Sequence, residues 1–342
     1  MLSDDIQNID NWKQQLKQFP DCISDKQINC FEAGDSRVME NLVLTGNNIY
    51  DMYFPDIPSQ YNPQSPSIWI EFAAAAFRCH TFVRDLYSRA TPDYKVIDAK
   101  LLWDISHHAT IAWDFDNGGL DAITRGSVYD FGSVWNANFV DQIRHHLFET
   151  ITNTKADTKR FDLPAMNINR ARDHGINGYN AYREWCGFKR AQNFQQFLNF
   201  VNVEEIEDLK TTYPYVFCKI FHLNKVYEND SFIVDIQMMY VDLWVGINME
   251  NPVRGGLIGS TAACIIAQQF LKIKVADRFY YEHPGVFTPE QLRSIKSYPI
   301  RCFMCTTIEI QLMQPNPLLP PSHPGNSQLS CDQCQQFDLR AW

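Results

Sequence analysis

The chain has 342 residues, 45% apolar and 13% aromatic, so it can bury a substantial core and is too apolar to be disordered. Its forty acidic and thirty basic side chains give a net charge of −10 without a Lys/Arg cluster, which disfavours nucleic acid as a partner. The longest apolar runs, such as residues 262–267, fall far short of the roughly 20 residues that a membrane span needs. No signal peptide is visible at the N-terminus.

The first long periodic segment contains a single histidine. From Glu71 to Leu86, apolar residues recur at helical spacing, which predicts one helix with His80 on an apolar face. A lone histidine on such a face is most often a core residue, although small neighbours such as alanine also allow a flat cofactor to approach. A second helix is predicted from Pro164 to about Gly175.

Later segments also favour helices. An apolar helix is predicted at 260–271, and Thr288 begins a capping box with proline at the first helical position. Alternating strand patterns are scarce, and no repeat or interior linker is visible. We therefore expect a mainly α, single-domain fold over residues 1–342, with a Pro-rich segment at 314–325 before a short tail.

Residues 162–187 form the densest polar segment of an otherwise apolar helical region. Its charged side chains are costly to bury unless they are paired. One interpretation is a buried ion-pair network that holds helices together. The other is a site for an anionic cofactor, with Arg170 and Arg172 as bidentate carboxylate binders.

The ten cysteines allow more than one interpretation. Residues 302–305 and 331–334 both read Cys-x-x-Cys, which suits either a four-thiolate zinc site or disulfides that fix the tail. The even count favours disulfides and an oxidising compartment, whereas the absence of a visible signal peptide favours a reducing one.

Five segments together resemble the animal-type heme peroxidases, and they occur in that family's order. They are CFEAGDSRVMENLVLT at 30–45, EFAAAAFRCHTFV at 71–83, DLPAMNINRARDHGINGYNAYREWCGF at 162–188, DLWVGINMENPVRGGLIGSTAACIIAQQF at 242–270 and DRFYYEHPGVFTPEQL at 277–292. The closing CDQCQQFDLRAW also fits. The resemblance runs from about residue 22 to the C-terminus. It implies the family's helical fold, bound heme b, and reduction of H2O2 with oxidation of a small-molecule or tyrosine-type donor.

The resemblance implies roles for individual residues on the proximal side of the heme. His80 falls at the axial ligand of the iron, and Asn167 at the amide that accepts a hydrogen bond from that imidazole. Arg170 matches an arginine on one heme propionate, and Arg78 matches an arginine on the other.

On the distal side, Arg37 matches the arginine that polarises bound peroxide, and Glu40 matches the glutamate that forms an ester with the heme. Spacing alone would make these two residues an ordinary helical ion pair. The resemblance also implies a secreted, extracellular protein and makes the zinc site less favoured. It implies three disulfides, Cys22–Cys30, Cys186–Cys264 and Cys305–Cys331.

Several features depart from the family pattern. No histidine precedes His80, so the distal general acid–base, typically worth roughly 10²–10⁴-fold, is missing. The family's second ester aspartate and calcium loop are missing too, and the stretch between Thr45 and Glu71 is shortened. The sequence FRCH has one residue fewer than the family's Phe-Arg-aromatic-Gly-His, which predicts that His80 is turned by about 100° on its helix.

We therefore expect a heme peroxidase whose turnover is impaired. Two alternatives stay open. One is a non-catalytic peroxidase-like scaffold or binding protein, and the other is a partial product of a longer secreted peroxidase.

Overall fold

The computed structural model describes residues 65–342, except residues 131, 151–158, 193, 198–200, 202–205, 207–208, 210–211, 214–240, 254–255 and 318. Arg37, Glu40, Cys22 and Cys30 lie outside the described residues, so the roles implied for them stay predictions.

The fold is mainly α, as the sequence predicts. The described α-helices are α1 (Leu102–His107), α2 (Ala109–Ala112), α3 (Gly119–Tyr129), α4 (Asp141–Arg144), α5 (Leu163–Asp173), α6 (Tyr179–Trp185), α7 (Phe194–Phe197), α8 (Leu243–Met249), α9 (Ser260–Ala276), α10 (Pro289–Ser297) and α11 (Ile300–Thr307). There is also a π-helix at Phe72–Ala76, with 3-10 turns at His80–Phe82, Phe115–Asn117, Cys331–Gln333 and Leu339–Ala341. Among the described residues, three two-stranded antiparallel sheets pair β1 (Leu86–Ala90) with β2 (Val96–Leu101), β3 (Leu147–Thr150) with β4 (Lys159–Phe161), and β5 (Leu312–Met313) with β6 (Leu329–Ser330).

Local capping signals account for where α5 begins and ends. The Asp162 carboxylate accepts a hydrogen bond from the backbone N–H of Ala165 at 2.9 Å, and Pro164 occupies the first turn, where its missing N–H costs nothing. The helix ends two residues before Gly175, which has a φ of +66°.

The start of α10 follows the same logic. Thr288 and Gln291 form the reciprocal capping box that the sequence predicts, and Pro289 is the first helical residue.

The continuous helix predicted from Glu71 to Leu86 is wrong. The N–H of Phe77 donates to the carbonyl of Phe72 at 2.9 Å, a π-type bond, and the chain then leaves the helix before the 3-10 turn that begins at His80. Leu86 already belongs to β1. Because no continuous helix joins Phe72 to His80, the predicted rotation of His80 about a helix axis does not apply.

The main core lies between the π-helix and helices α6, α8 and α9. Ala75, Tyr179, Ile247 and Ile265 are fully buried there. Gly246 in α8 faces the ring of Tyr179 so closely that a Cβ atom would overlap it, which explains why α6 and α8 can approach each other there.

Gln269 of α9 fastens the segment that leads into the π-helix. Its buried side-chain Oε1 accepts from the backbone N–H of Trp69 at 2.6 Å, and its Nε2 donates to the carbonyl of Ser67 at 3.3 Å. Two hundred residues of sequence separate Trp69 from Gln269. The position of the π-helix therefore depends on a distant part of the chain.

Three disulfides lie within the described residues. Cys186 pairs with Cys264, which joins the end of α6 to α9, and Cys305 pairs with Cys331. Both are pairs that the resemblance implies. Cys302 pairs with Cys334, so all four sulfurs of the two Cys-x-x-Cys motifs are used in disulfides rather than in a zinc site.

Across the part of the chain that the structure describes, no helix combines the length and the apolar character that a membrane crossing requires.

Candidate functional site

His80 and Asn167 meet although 87 residues separate them in the sequence. Asn167 lies on α5 and is completely buried, and its Nδ2 is 2.8 Å from Nδ1 of the half-buried His80. The structure thus brings together the imidazole and the amide that the resemblance assigns to the proximal side of a heme.

Arg78 completes this cluster. Its Nη1 donates to Oδ1 of Asn167 at 3.0 Å, and its Nε donates to the backbone carbonyl of Ala73 at 2.9 Å. The indole N–H of the buried Trp244 donates to the carbonyl of Arg78 at 3.2 Å and holds the backbone in the break after the π-helix.

Burial and the positive charge of Arg78 lower the pKa of His80 to about 4. The imidazole is therefore neutral at pH 7, which is the charge state that a metal-ligating histidine requires. Burial and the charge of Arg170 also lower the pKa of Arg78. Burial raises the pKa of the Cys79 thiol to about 11, so Cys79 is not a thiolate ligand or nucleophile at pH 7.

Arg170 is exposed, three residues beyond Asn167 on α5. Within the described ranges its guanidinium has no hydrogen bond or ion pair, and Arg78 has no carboxylate partner. Arg78 and the nearby Arg170 therefore have no neutralising anion among these residues. Such a pair is suited to binding carboxylate groups.

Arg172 does not join this cluster, which corrects its interpretation as a cofactor-carboxylate binder. Its Nε and Nη2 bind the two oxygens of Asp242 at 3.0 and 2.6 Å. The hydroxyl of Tyr213 donates to the same carboxylate at 2.6 Å. Arg172 is thus a structural link between α5 and the residue that precedes α8.

Two contacts that the sequence does not predict, one aromatic and one polar, support the backbone next to these residues. The ring of Phe139 stacks on Trp244 with centroids 5.0 Å apart, and the hydroxyl of buried Thr81 donates to the carbonyl of Val134 at 2.9 Å. These contacts join residues more than 50 positions apart, so no local pattern in the sequence indicates them.

A family model described as "Animal haem peroxidase" matches residues 46–318. This range includes His80, Asn167, Arg78 and Arg170, and it begins after Arg37 and Glu40.

Individual relatives agree with the family match. The chain is 30% identical to peroxidasin of Drosophila melanogaster over 301 residues, which are 82% of this chain and 18% of that protein. It is 30% identical to a Drosophila melanogaster peroxidase, covering 91% of this chain and 41% of the relative. Myeloperoxidase of Mus musculus is 26% identical over 85% of this chain and 37% of its own length. The chain thus spans less than half the length of these relatives.

The fold is similar to that of peroxidase A from Dictyostelium discoideum, with a TM-score of 0.53 and 19% identity. The similarity covers 75% of this chain and 44% of that one, and at this identity it concerns the fold alone. The family model matches most of the chain, and its range contains the whole cluster around His80. The chain belongs to the animal heme peroxidase family.

Proposed function

We propose that the chain is a heme-binding oxidoreductase of the peroxidase type, with His80 as the axial ligand of the iron. The contact between His80 and Asn167 carries this proposal, because a buried amide at this place can accept the second ring N–H of a neutral, ligating histidine once its oxygen is turned toward the ring. When bound, the heme would supply the redox chemistry by which H2O2 is reduced and a donor is oxidised.

The residues of the cluster fit a heme by their chemistry. The proposed axial ligand, His80, is an imidazole, and Arg78 and Arg170 are cations without a carboxylate partner among the described residues, so they could bind propionates. The buried alanines of the π-helix, Ala74 to Ala76, leave little side-chain bulk on that segment.

On the distal side, the proposal retains the roles implied for Arg37 and Glu40. Arg37 would polarise the peroxide, and Glu40 would form an ester with the heme. Within these 342 residues no histidine precedes His80, so none of them supplies the general acid–base that moves a proton between the two peroxide oxygens, typically worth roughly 10²–10⁴-fold. We expect slow peroxide turnover by this chain, toward a small-molecule or tyrosine-type donor.

Three disulfides favour an oxidising compartment, and we propose an extracellular location. Disulfides of this kind persist where thiols are not kept reduced by the cytosolic pool.

Titration of the purified chain with hemin tests the proposal. We expect a saturable Soret band at one equivalent, which is lost in His80→Ala and kept in the matched control His323→Ala, an exposed histidine in the Pro-rich segment. A Soret band indifferent to both substitutions would overturn the assignment of His80.

The second candidate is a non-catalytic member of the family that serves as a scaffold or binding protein. The amide nitrogen of Asn167 that faces Nδ1 of His80 favours it, because a ligating imidazole donates from that ring nitrogen instead of accepting. Specific heme binding without any peroxide-dependent oxidation of a phenol would support this candidate over the enzyme.

A further inference from the structure

Arg78 determines which end of the Asn167 amide faces His80. A guanidinium donates hydrogen bonds and accepts none, so the Asn167 atom that lies 3.0 Å from Nη1 of Arg78 must be the carbonyl oxygen. The amide nitrogen consequently faces Nδ1 of His80, at 2.8 Å. Because an amide nitrogen only donates, Nδ1 must be the acceptor and carries no proton.

The proton of the neutral imidazole must then be on Nε2. A metal binds an imidazole nitrogen through its lone pair, which a protonated nitrogen does not offer. Nδ1 has a lone pair, but the Asn167 amide already occupies it. In this arrangement neither ring nitrogen of His80 is ready to ligate iron.

We infer that Arg78 is a positioning residue for His80: by holding Oδ1 of Asn167 it keeps the ligand-free chain in the Nε2–H tautomer, and heme binding requires Arg78 to leave the amide. Once Arg78 leaves, the amide turns over and presents Oδ1 to His80. Nδ1 then takes up a proton from solvent and forms an N–H hydrogen bond to that oxygen, while Nε2 releases its proton to solvent. The ring gains one proton and loses one, so its charge does not change.

Arg78 is placed so that a carboxylate can draw it away. Both acceptors that hold its guanidinium are neutral, namely the amide of Asn167 and the carbonyl of Ala73. A carboxylate can accept two parallel hydrogen bonds from a guanidinium and adds charge–charge attraction, which neither neutral acceptor offers. Arg170 lies close enough to act electrostatically on Arg78, and this repulsion also favours a shared anion. A porphyrin whose carboxylates bind Arg78 therefore breaks the hydrogen bond from Arg78 to Asn167. His80 can then adopt the tautomer that the metal of the porphyrin needs. This second half of the inference rests on the proposed function, whereas the tautomer of the ligand-free chain does not.

Long-range ¹H–¹⁵N NMR of the ¹⁵N-histidine-labelled full chain without heme tests the first half. The signals of His80 are assigned by their loss in His80→Gln. We expect a protonated Nε2 and an unprotonated Nδ1 in the wild type. Arg78→Met should shift at least half of the population to the Nδ1–H tautomer, since the amide becomes free to turn. Arg170→Met, which removes the neighbouring charge without touching Asn167, should leave the tautomer unchanged.

Asn167→Asp is a second variant that serves if Arg78→Met fails to fold. A carboxylate only accepts, so it forces a proton onto Nδ1 even with Arg78 present. An Nδ1–H tautomer in the ligand-free wild type would overturn the inference without any variant. It would also be overturned if Arg78→Met left the Nε2–H tautomer in place.

Loading the wild type with zinc protoporphyrin IX, a diamagnetic porphyrin that takes one axial ligand, tests the second half. We expect Nδ1 of His80 to become protonated in the complex. A complex ligated by His80 in which Nδ1 stays unprotonated would overturn the coupling. If the porphyrin does not bind at His80 while the ligand-free tautomer is as expected, the proposed function fails together with the coupling, and the role of Arg78 toward Asn167 stands.

Discussion

Arg183 and Glu250 form an ion pair in the interior, with Nη1 and Oε1 2.9 Å apart and side chains only 8% and 1% exposed. The hydroxyl of Tyr179 donates to the same carboxylate at 2.6 Å, and the backbone N–H of Thr261 donates to it at 2.7 Å. The polar segment 162–187 therefore has two uses. Its first part contributes Asn167 to the candidate site, and its last part belongs to a buried ion-pair network.

Glu250→Ala should destabilise the protein strongly. The substitution leaves the buried guanidinium of Arg183 without its carboxylate, which typically costs about 3–5 kcal/mol in the free energy of unfolding. Denaturant unfolding with the disulfides intact measures this change. The matched control is Glu184→Ala, which removes the partner of Arg190 in an exposed pair at 3.3 Å and should cost about 1 kcal/mol or less. Equal losses in the two variants would contradict the prediction.

Titration of thiols in denatured, unreduced protein should find two free cysteines. Six of the ten cysteines are in disulfides within the described residues, Cys79 is free there, and Cys22–Cys30 is a predicted pair. The two thiols are then Cys79 and Cys218. A count of six that accompanies stoichiometric zinc would instead point to a four-thiolate site at the two Cys-x-x-Cys motifs.

Gly126→Ala should cost about 3 kcal/mol or more in the free energy of unfolding. Gly126 of α3 lies directly against the backbone carbonyl of Ser88 in β1, where an added Cβ atom would overlap it. The clash is between a Cβ atom fixed on a helix and backbone atoms of a strand, which cannot move aside as a flexible side chain can. The added methyl group therefore overpacks this contact at a high cost in stability. Gly132→Ala is the control, because its Cβ atom would be 3.5 Å from the nearest neighbour, an ordinary contact. Thermal and chemical unfolding of both variants check the difference, and similar stabilities would refute it.

The free energy of unfolding should depend on pH through the ionisation of Asp98 in the β1–β2 hairpin. Two hydrogen bonds from Arg89, at 2.7 and 2.6 Å, lower the pKa of Asp98 from 3.8 to about 2. Because the folded-state pKa is below the unfolded value, this group stabilises the fold above about pH 4 and loses its contribution as the pH falls toward 2. Asp98→Asn should therefore be less stable at pH 7, and the difference from the wild type should shrink between pH 4 and pH 2. A constant difference over this range would contradict the prediction.

Local signals in the sequence were sufficient to predict where α5 and α10 begin. The Asp162 cap with Pro164 and the Thr288 capping box each involve residues within four positions, so a single sequence contains the whole interaction. The mainly α fold follows from the same short-range patterns.

Long-range contacts determined what the sequence could not predict. Helical spacing continues past Phe77, but Trp244 binds the carbonyl of Arg78 and the chain leaves the helix there. Arg172 has a guanidinium that could bind the carboxylate of a cofactor. Only the fold shows that its Nε and Nη2 both donate to Asp242. The contact of Arg78 with Asn167 likewise joins residues 89 positions apart, which no spacing rule reveals.

The bonds from Gln269 to Ser67 and Trp69 also bear on how the chain is made. Ribosomes add about 5–20 residues per second, so the segment before the π-helix waits roughly 10–40 s before the codon for its partner, 200 residues later, is even read. During this interval Trp69 and the apolar residues that follow it have no α9 to pack against. A nascent chain therefore offers this stretch to chaperones, and a prosthetic group that arrives early meets an unfinished site. The segment that leads to His80 is thus secured only after Gln269 has been synthesised.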